Sequence, residues 1–266
     1  MLRKPRNGRP WLWVGLLGLI VTVLAAWWLA HENEQRLAAE LERQIARAAQ
    51  QVEARFGLYE YGLRGARGAI LAGGGANIRR ETFAAYSQSR ELSREFPGAR
   101  GFGFIRRWPA GHDADELRRA RADGMPSFQL RELSRNAGDR FVIEYIYPQA
   151  ANQGAAGLDI ASETARREAA MAAARDAAVR LTAPLTLMQA DQKGRQGFLI
   201  LLPMYSPGAL PPDGAGRLAA TLGWTYAPLL AEEVLKPLLD EFALVDLSLG
   251  ELSEPSPFFT TQRGGS

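Results

Sequence analysis

The sequence predicts a membrane-anchored protein of mixed helix and strand, and three kinds of stretch carry that prediction. Trp11 to Ala30 runs twenty residues without a charge, enough at about 1.5 Å per residue to cross a hydrocarbon core of about 30 Å. Leu37 to Ile70 repeats an apolar residue every three or four positions without a proline, which is the mark of one long helix. Beyond it, apolar runs such as FVIEYIY (Phe141 to Tyr147) and GFLILLPMY (Gly197 to Tyr205) alternate with Arg- and Ala-rich stretches, so strands and helices share the remainder.

The membrane assignment follows from what flanks the span. Arg3, Lys4, Arg6 and Arg9 precede it and place residues 1–10 in the cytoplasm as a basic segment. Trp11, Trp13, Trp27 and Trp28 stand where an aromatic belt belongs, and two tryptophans at the exit argue for an uncleaved anchor over a signal peptide. Those four basic residues also account for the charge of the chain. Its formal net charge is +3 with a pI of 9.4, yet Val14 onward holds 28 basic against 29 acidic residues, a net of −1. Nucleic acid is therefore not an expected partner. There is no cysteine, which excludes disulfides and thiolate metal sites.

From residue 31 to 75 the stripe Leu37, Leu41, Ile45, Ala48, Val52, Phe56, Tyr59, Leu63, Ala66, Ile70 covers 33 residues in nine steps, about 3.67 per step, a period that stays in line on a nearly straight helix. Membrane helix and stalk form one element on this reading, ended by Gly73, Gly74 and Gly75. Leu37 to Val52 are assigned to a second copy in a parallel homodimer, and Phe56 to Ile70 to the chain's own domain. Residues 81–96 read as a helix stopped by Pro97, residues 101–108 as a strand, and 113–122 as a helix opened by Asp113 and Glu116. Phe141 to Tyr147 is a strand halted by Pro148, followed by a loop over 149–156.

Gly157 to Pro184 is the centre of the reading. Asp159 sits between Leu158 and Ile160, Ser162 caps a helix over 163–178, and Leu181, Ala183, Leu185 and Leu187 form one face of a returning strand that could lay Leu181 beside Asp159. The helix is expected to rest Ala165, Ala169, Met171, Ala172 and Ala173 on a sheet and to turn Arg166, Arg167, Glu168 and Arg175 to water. Asp159 has two readings: a hydrogen-bonding group in a pocket, or an acid that ties down its own turn. After a polar turn at 190–196, Gly197 to Tyr205 is a strand covered on both faces. Residues 206–217 are a loop, 218–227 a strand, 228–241 a helix and 242–250 a strand.

No catalytic set assembles from these residues. His31 and His112 stand alone, no phosphate-binding loop follows a strand, and the paired acids occupy capping or solvated positions. An enzyme, a metal site and a cofactor are therefore not expected.

GFGFIRR (Gly101 to Arg107), FVIEYIYP, GLDIASE (Gly157 to Glu163), the Arg/Ala helix, LTAP (Leu181 to Pro184), QGFLILLPMY and GWTYAP (Gly223 to Pro228) together resemble the CHASE family, the extracytoplasmic sensory domain of receptor histidine kinases and nucleotide cyclases. The resemblance implies an α+β ectodomain: a transmembrane helix continuing into a long stalk helix, then tandem PAS-like antiparallel-sheet units. Residues 76–210 would form the membrane-distal, ligand-binding unit, and 211–266 a linker helix with part of the membrane-proximal unit. In the plant cytokinin receptors of the family an aspartate and a leucine at the positions of Asp159 and Leu181 hold the ligand. The expected ligand-binding set is Asp159, Leu181, Thr182, Pro184, Phe104 and Tyr145, with no catalytic or metal residue. Leu158 replaces the family's usual aromatic, the middle strand opens at Arg140 to Ile143 without its usual proline, and Ala177 and Ala178 replace a glycine. The expected function is a sensor at the cell inner membrane, residues 31–266 outside, binding a small molecule with hydrogen-bond donors and signalling to a kinase or cyclase beyond this chain. The alternative is a dimerising or protein-binding ectodomain without a small ligand.

Overall fold

The computed structural model describes residues 10–187, 196–234, 248–249 and 259–260, in two compact units, Met1–Gln50 and Gln51–Ser266. Helix α1 is assigned over Pro10–Ala72, 63 residues. In the first unit it carries one candidate membrane span, with a window of mean hydropathy 2.1 and none of it buried. Past the span, Leu37, Leu41 and Ile45 are exposed by 66%, 44% and 50%. Between them the surface is held by pairs one turn apart, Glu32 with Arg36 at 3.0 Å and Glu40 with Arg43 at 3.2 Å, each worth a few tenths of a kcal/mol, about 0.2–0.5. The basic segment expected at 1–10 lies, but for Pro10, outside the described residues.

The second unit is built on a six-stranded antiparallel sheet. Its strands are β1 (Phe102–Trp108), β2 (Arg140–Tyr147), β3 (Arg180–Leu181), β4 (Leu185–Thr186), β5 (Gln196–Tyr205) and β6 (Thr221–Leu230), in the order β2-β1-β6-β5-β3, with β4 also on β5. The helices around it include α2 (Arg80–Gln88), α3 (Leu92–Glu95), α4 (Asp113–Ala122), α5 (Thr164–Asp176) and α6 (Gly214–Ala219). The expected 81–96 helix is thus two shorter ones, because the chain turns at Ser89 and Arg90 before α3 begins.

Each face of the sheet buries a different set, as alternation along a strand requires. One face brings Phe198, Ile200, Leu202 and Leu229 against Tyr59, Leu63 and Phe96, with Val52 and Phe56 packed on. Nearer the end of α1, Phe104, Tyr145 and Met204 meet Ile70, Ile78 and Phe83. Val52 therefore belongs to the domain side of the stripe, and the part left over is Leu37 to Ile45. The opposite face packs Ile105, Ile143, Leu201, Trp224 and Tyr226 under Leu158, Ile160 and the alanines of α5. Gly103 is required at that crossing: a Cβ there would stand 2.3 Å from the Tyr226 ring and 2.5 Å from the Tyr145 carbonyl. This accounts for the second glycine of GFGF.

Three sequence expectations shift. The strand over 218–227 is β6, displaced to Thr221–Leu230, since α6 with its Asp213 cap occupies Gly214–Ala219; Asp213 accepts from the Gly216 N–H at 2.7 Å. A division at 210/211 would separate β5 from β6, yet these pair from Gly197↔Leu230 to Tyr205↔Thr221. The single strand expected from Leu181 to Leu187 is two short ones, β3 and β4, and its common face breaks: Leu185 and Leu187 are buried while Leu181 is exposed. Of the helix expected over 228–241, residues 228–230 instead close β6, 231–234 are helical and 235–241 lie outside the described residues; of the strand expected over 242–250, β7 (Ser248–Leu249) pairs β8 (Phe259–Thr260) and the rest lies outside them.

Candidate functional site

Asp159 lies at the corner where the Arg131–Leu158 and Val142–Asp159 bridges bring a loop onto β2. Its side chain is fully buried and fully engaged. Oδ1 accepts from the Phe141 N–H at 2.8 Å and the Ala161 N–H at 2.9 Å; Oδ2 accepts from Asn136 Nδ2 at 2.9 Å and faces Arg140 at 3.4 Å. Arg140 in turn holds Asp113 at 2.8 Å and Glu132. A carboxylate with this many donors needs no ligand to offset its burial. Gly157, at φ +83, sets the corner up: a Cβ would overlap the Gln129 carbonyl at 1.9 Å.

Ser162 does not cap α5. Its hydroxyl donates to the Asp159 carbonyl at 2.5 Å and accepts from the Leu133 N–H at 2.9 Å, while Glu163 stands at the N-cap without a side-chain bond. The buried face of α5 is Arg166, Ala170, Ala173 and Ala174, one residue out of phase with the expected one. That small phase error sends Arg166 inward. It pairs with Glu163 at 3.3 Å, and burial pulls its pKa below the ordinary arginine value, with Glu163 opposing.

Arg166 reaches a cavity of about 20 Å³ between α5 and the sheet, walled by Ile143, Leu158, Leu185, Leu199 and Tyr226. That is room for about one water molecule. The Tyr226 hydroxyl is buried without a hydrogen-bond partner in the described structure, and desolvation pushes its pKa well up.

The six expected ligand-binding residues fall in three places. Asp159 is at the β2 edge. Leu181 pairs with Ile200 on β3 at the other edge, four strand spacings away, or about 19 Å. The expected meeting of Leu181 with Asp159 therefore does not occur. Leu181 is 43% exposed, Pro184 is half-buried, and Thr182 is buried with its hydroxyl accepting from the Leu199 N–H at 2.9 Å. Phe104 and Tyr145 lie together with ring centroids 5.9 Å apart on the face that receives α1, and the Tyr145 hydroxyl is 2.5 Å from Asp123 and 2.9 Å from the Ile78 carbonyl.

A cluster that sequence reasoning missed sits beside that pair. Glu144, fully buried, takes Arg119 in a fork at 2.7 and 2.9 Å and Arg106 at 2.5 Å. Arg106 also donates to the Ala76 carbonyl, beyond the end of α1, and Arg80 to the Glu144 carbonyl at 3.1 Å. Burial opposes ionisation of Glu144, but hydrogen bonds and charge from Arg119 and Arg106 overcome it and hold its pKa down to about 2. The signal was one acid amid the apolar run FVIEYIY, facing the first arginine of GFGFIRRW. Among the described residues, no three His, Cys, Asp or Glu side chains are grouped to hold a metal.

The CHASE domain family model matches residues 76–259, over the sheet and its helices. No curated protein matches the chain.

Proposed function

The chain belongs to the CHASE domain family, whose members are extracellular sensor domains rather than catalysts, and from that premise we propose that it is the receiving end of a sensor anchored in the cell inner membrane by the span in α1. Residues 31–266 face outward, bind a small molecule carrying hydrogen-bond donors, and pass a shift of α1 to a kinase or cyclase output module. The observation that carries this reading is the family match following an uncharged candidate span in α1. On the same reading the distal PAS-like unit, expected over 76–210, extends through Leu230. An alkaline phosphatase fused after Ser266 is expected to be active and a β-galactosidase there silent. The reverse pattern would sink the reading.

The proposed sensor is a parallel homodimer through Leu37, Leu41 and Ile45, an apolar stripe left exposed. The chain has no cysteine, so single cysteines report cleanly. Leu41→Cys should cross-link between copies, whereas Glu42→Cys, off the stripe, and Val52→Cys, packed on the domain core, should cross-link far less. Equal yields at Leu41 and Glu42 would remove the dimer.

One observation favours the second reading, an ectodomain that binds a protein or only dimerises. The space beneath α5 is about 20 Å³, and Asp159 is occupied by its own chain. A ligand reaching Asp159 would have to displace the Phe141 and Ala161 N–H groups, which then need new acceptors.

A further inference from the structure

A different opening is large enough for a ligand. A groove of about 790 Å³ lies at the C-terminal end of α1, on the side of the sheet that receives that helix, within the roughly 300–1,000 Å³ usual for small-molecule sites. Its walls are Leu71, Met204, Leu210, Leu222, Pro203 and Pro207, and two of these, Leu71 and Leu210, leave 43% and 50% of their surface in solvent.

One cation faces this apolar surface. Arg67 precedes Leu71 by one helical turn, so both side chains project on the same side of α1. Its guanidinium is half-buried and donates to the Pro203 carbonyl at 3.3 Å, a long contact. Among the described residues no carboxylate lines the groove, and none lies within 4.0 Å of Arg67. Burial, with Arg64 adding, pulls the Arg67 pKa below its ordinary value despite opposing contributions from Tyr205 and Glu60. A cation partly withdrawn from water and without an acid partner gains most from an anion.

We propose that this groove binds a small apolar monocarboxylate, its acid group on Arg67 and its body along Leu71, Leu210 and Leu222. A single arginine selects one negative charge over a polyphosphate, and the apolar walls select a hydrocarbon or aromatic body over a sugar acid. The site stands apart from the cavity beneath α5 and from Asp159, and it does not depend on either. Such a ligand would touch the last turns of α1 and the 206–210 loop together, so it bears on the helix proposed to carry the signal.

The test is calorimetric titration of 3-phenylpropionate into the full chain held in lipid nanodiscs, with the heat of empty nanodiscs subtracted. Saturable binding is expected. The neutral 3-phenylpropan-1-ol should bind roughly 10- to 150-fold more weakly, and Arg67→Gln should weaken the carboxylate by a similar factor. Leu210→Glu, at an exposed wall position, should repel the carboxylate without disturbing the core, so the test survives a poorly folded Arg67→Gln. Leu133→Ala, at an exposed position outside the groove, should leave the affinity unchanged. No saturable heat in the parent chain, an alcohol that binds as tightly as the acid, or a loss on Leu133→Ala with none on Leu210→Glu would each overturn the proposal.

Discussion

Replacing Asp159 by Ala is expected to destabilise the ligand-free domain by about 3–5 kcal/mol. The change strands the Phe141 and Ala161 N–H groups, both bonded to Oδ1 in a buried corner, at about 1–3 kcal/mol each. It also removes the acceptor of Asn136 and an acid facing Arg140. For a domain of this size each kcal/mol moves the midpoint by about 2–4 °C, so thermal melts followed by circular dichroism should fall by roughly 10 °C. Asp159→Asn keeps an oxygen for the two backbone donors and should lose about half as much. A melting temperature unchanged in Asp159→Ala would mean that the carboxylate is not holding the corner, and would return it to the role of a ligand contact.

Removal of the Glu144 carboxylate should be as severe for a different reason. Glu144→Ala leaves Arg106, itself buried, without its counter-charge, while Arg119 loses the fork and keeps Glu116 at 2.8 Å; breaking one partner out of a buried ion pair typically costs about 3–5 kcal/mol. Replacing both ends with apolar side chains, Glu144→Leu with Arg106→Met, should recover part of that loss, because the uncompensated charge goes too. The parent protein carries a pH signature of the same contact. The folded-state pKa of Glu144, about 2, lies below the ordinary 4.5, so its contribution is complete above about pH 4.5 and drains away as the pH falls toward 2. Denaturant midpoints measured down that range should decline less steeply in Glu144→Gln, which has nothing to protonate there. Parallel declines in both proteins would assign the acid sensitivity to other carboxylates.

The sequence was most legible where a pattern is long. The unbroken apolar repeat of α1, the apolar run of β2 and the doubly covered β5 are all in place, because a pattern over many residues averages out local exceptions. It was least legible where one residue of phase decides. The alanine face read from Ala165 and Ala169 turns Arg166 to water, yet the helix starts at Thr164 and its inward stripe is 166, 170, 173 and 174. Arginine's charge is a weak guide when an acid stands three residues before it. The meeting of Leu181 with Asp159 failed through topology: β6, far along the chain, enters between β1 and β5 and widens the sheet between them. No local pattern encodes that insertion. The Glu144 cluster escapes sequence reading because its parts lie at 106, 119 and 144, and only the pairing of β1 with β2 and the packing of α4 against them assembles it.

That late entry of β6 has a consequence for how the domain is made. When the emerging chain has reached Tyr205, β1 and β2 can already pair, but β1 and β5 each have one side still waiting for a strand some twenty residues away. Until Thr221–Leu230 arrives, the apolar edge of β5 has no neighbour on that side and the sheet cannot close. At about 5–20 residues per second this interval lasts on the order of seconds, and it falls while a translocating chain is crossing or leaving the membrane. The sheet therefore closes only once residue 230 is available, and not in the order in which its strands are read.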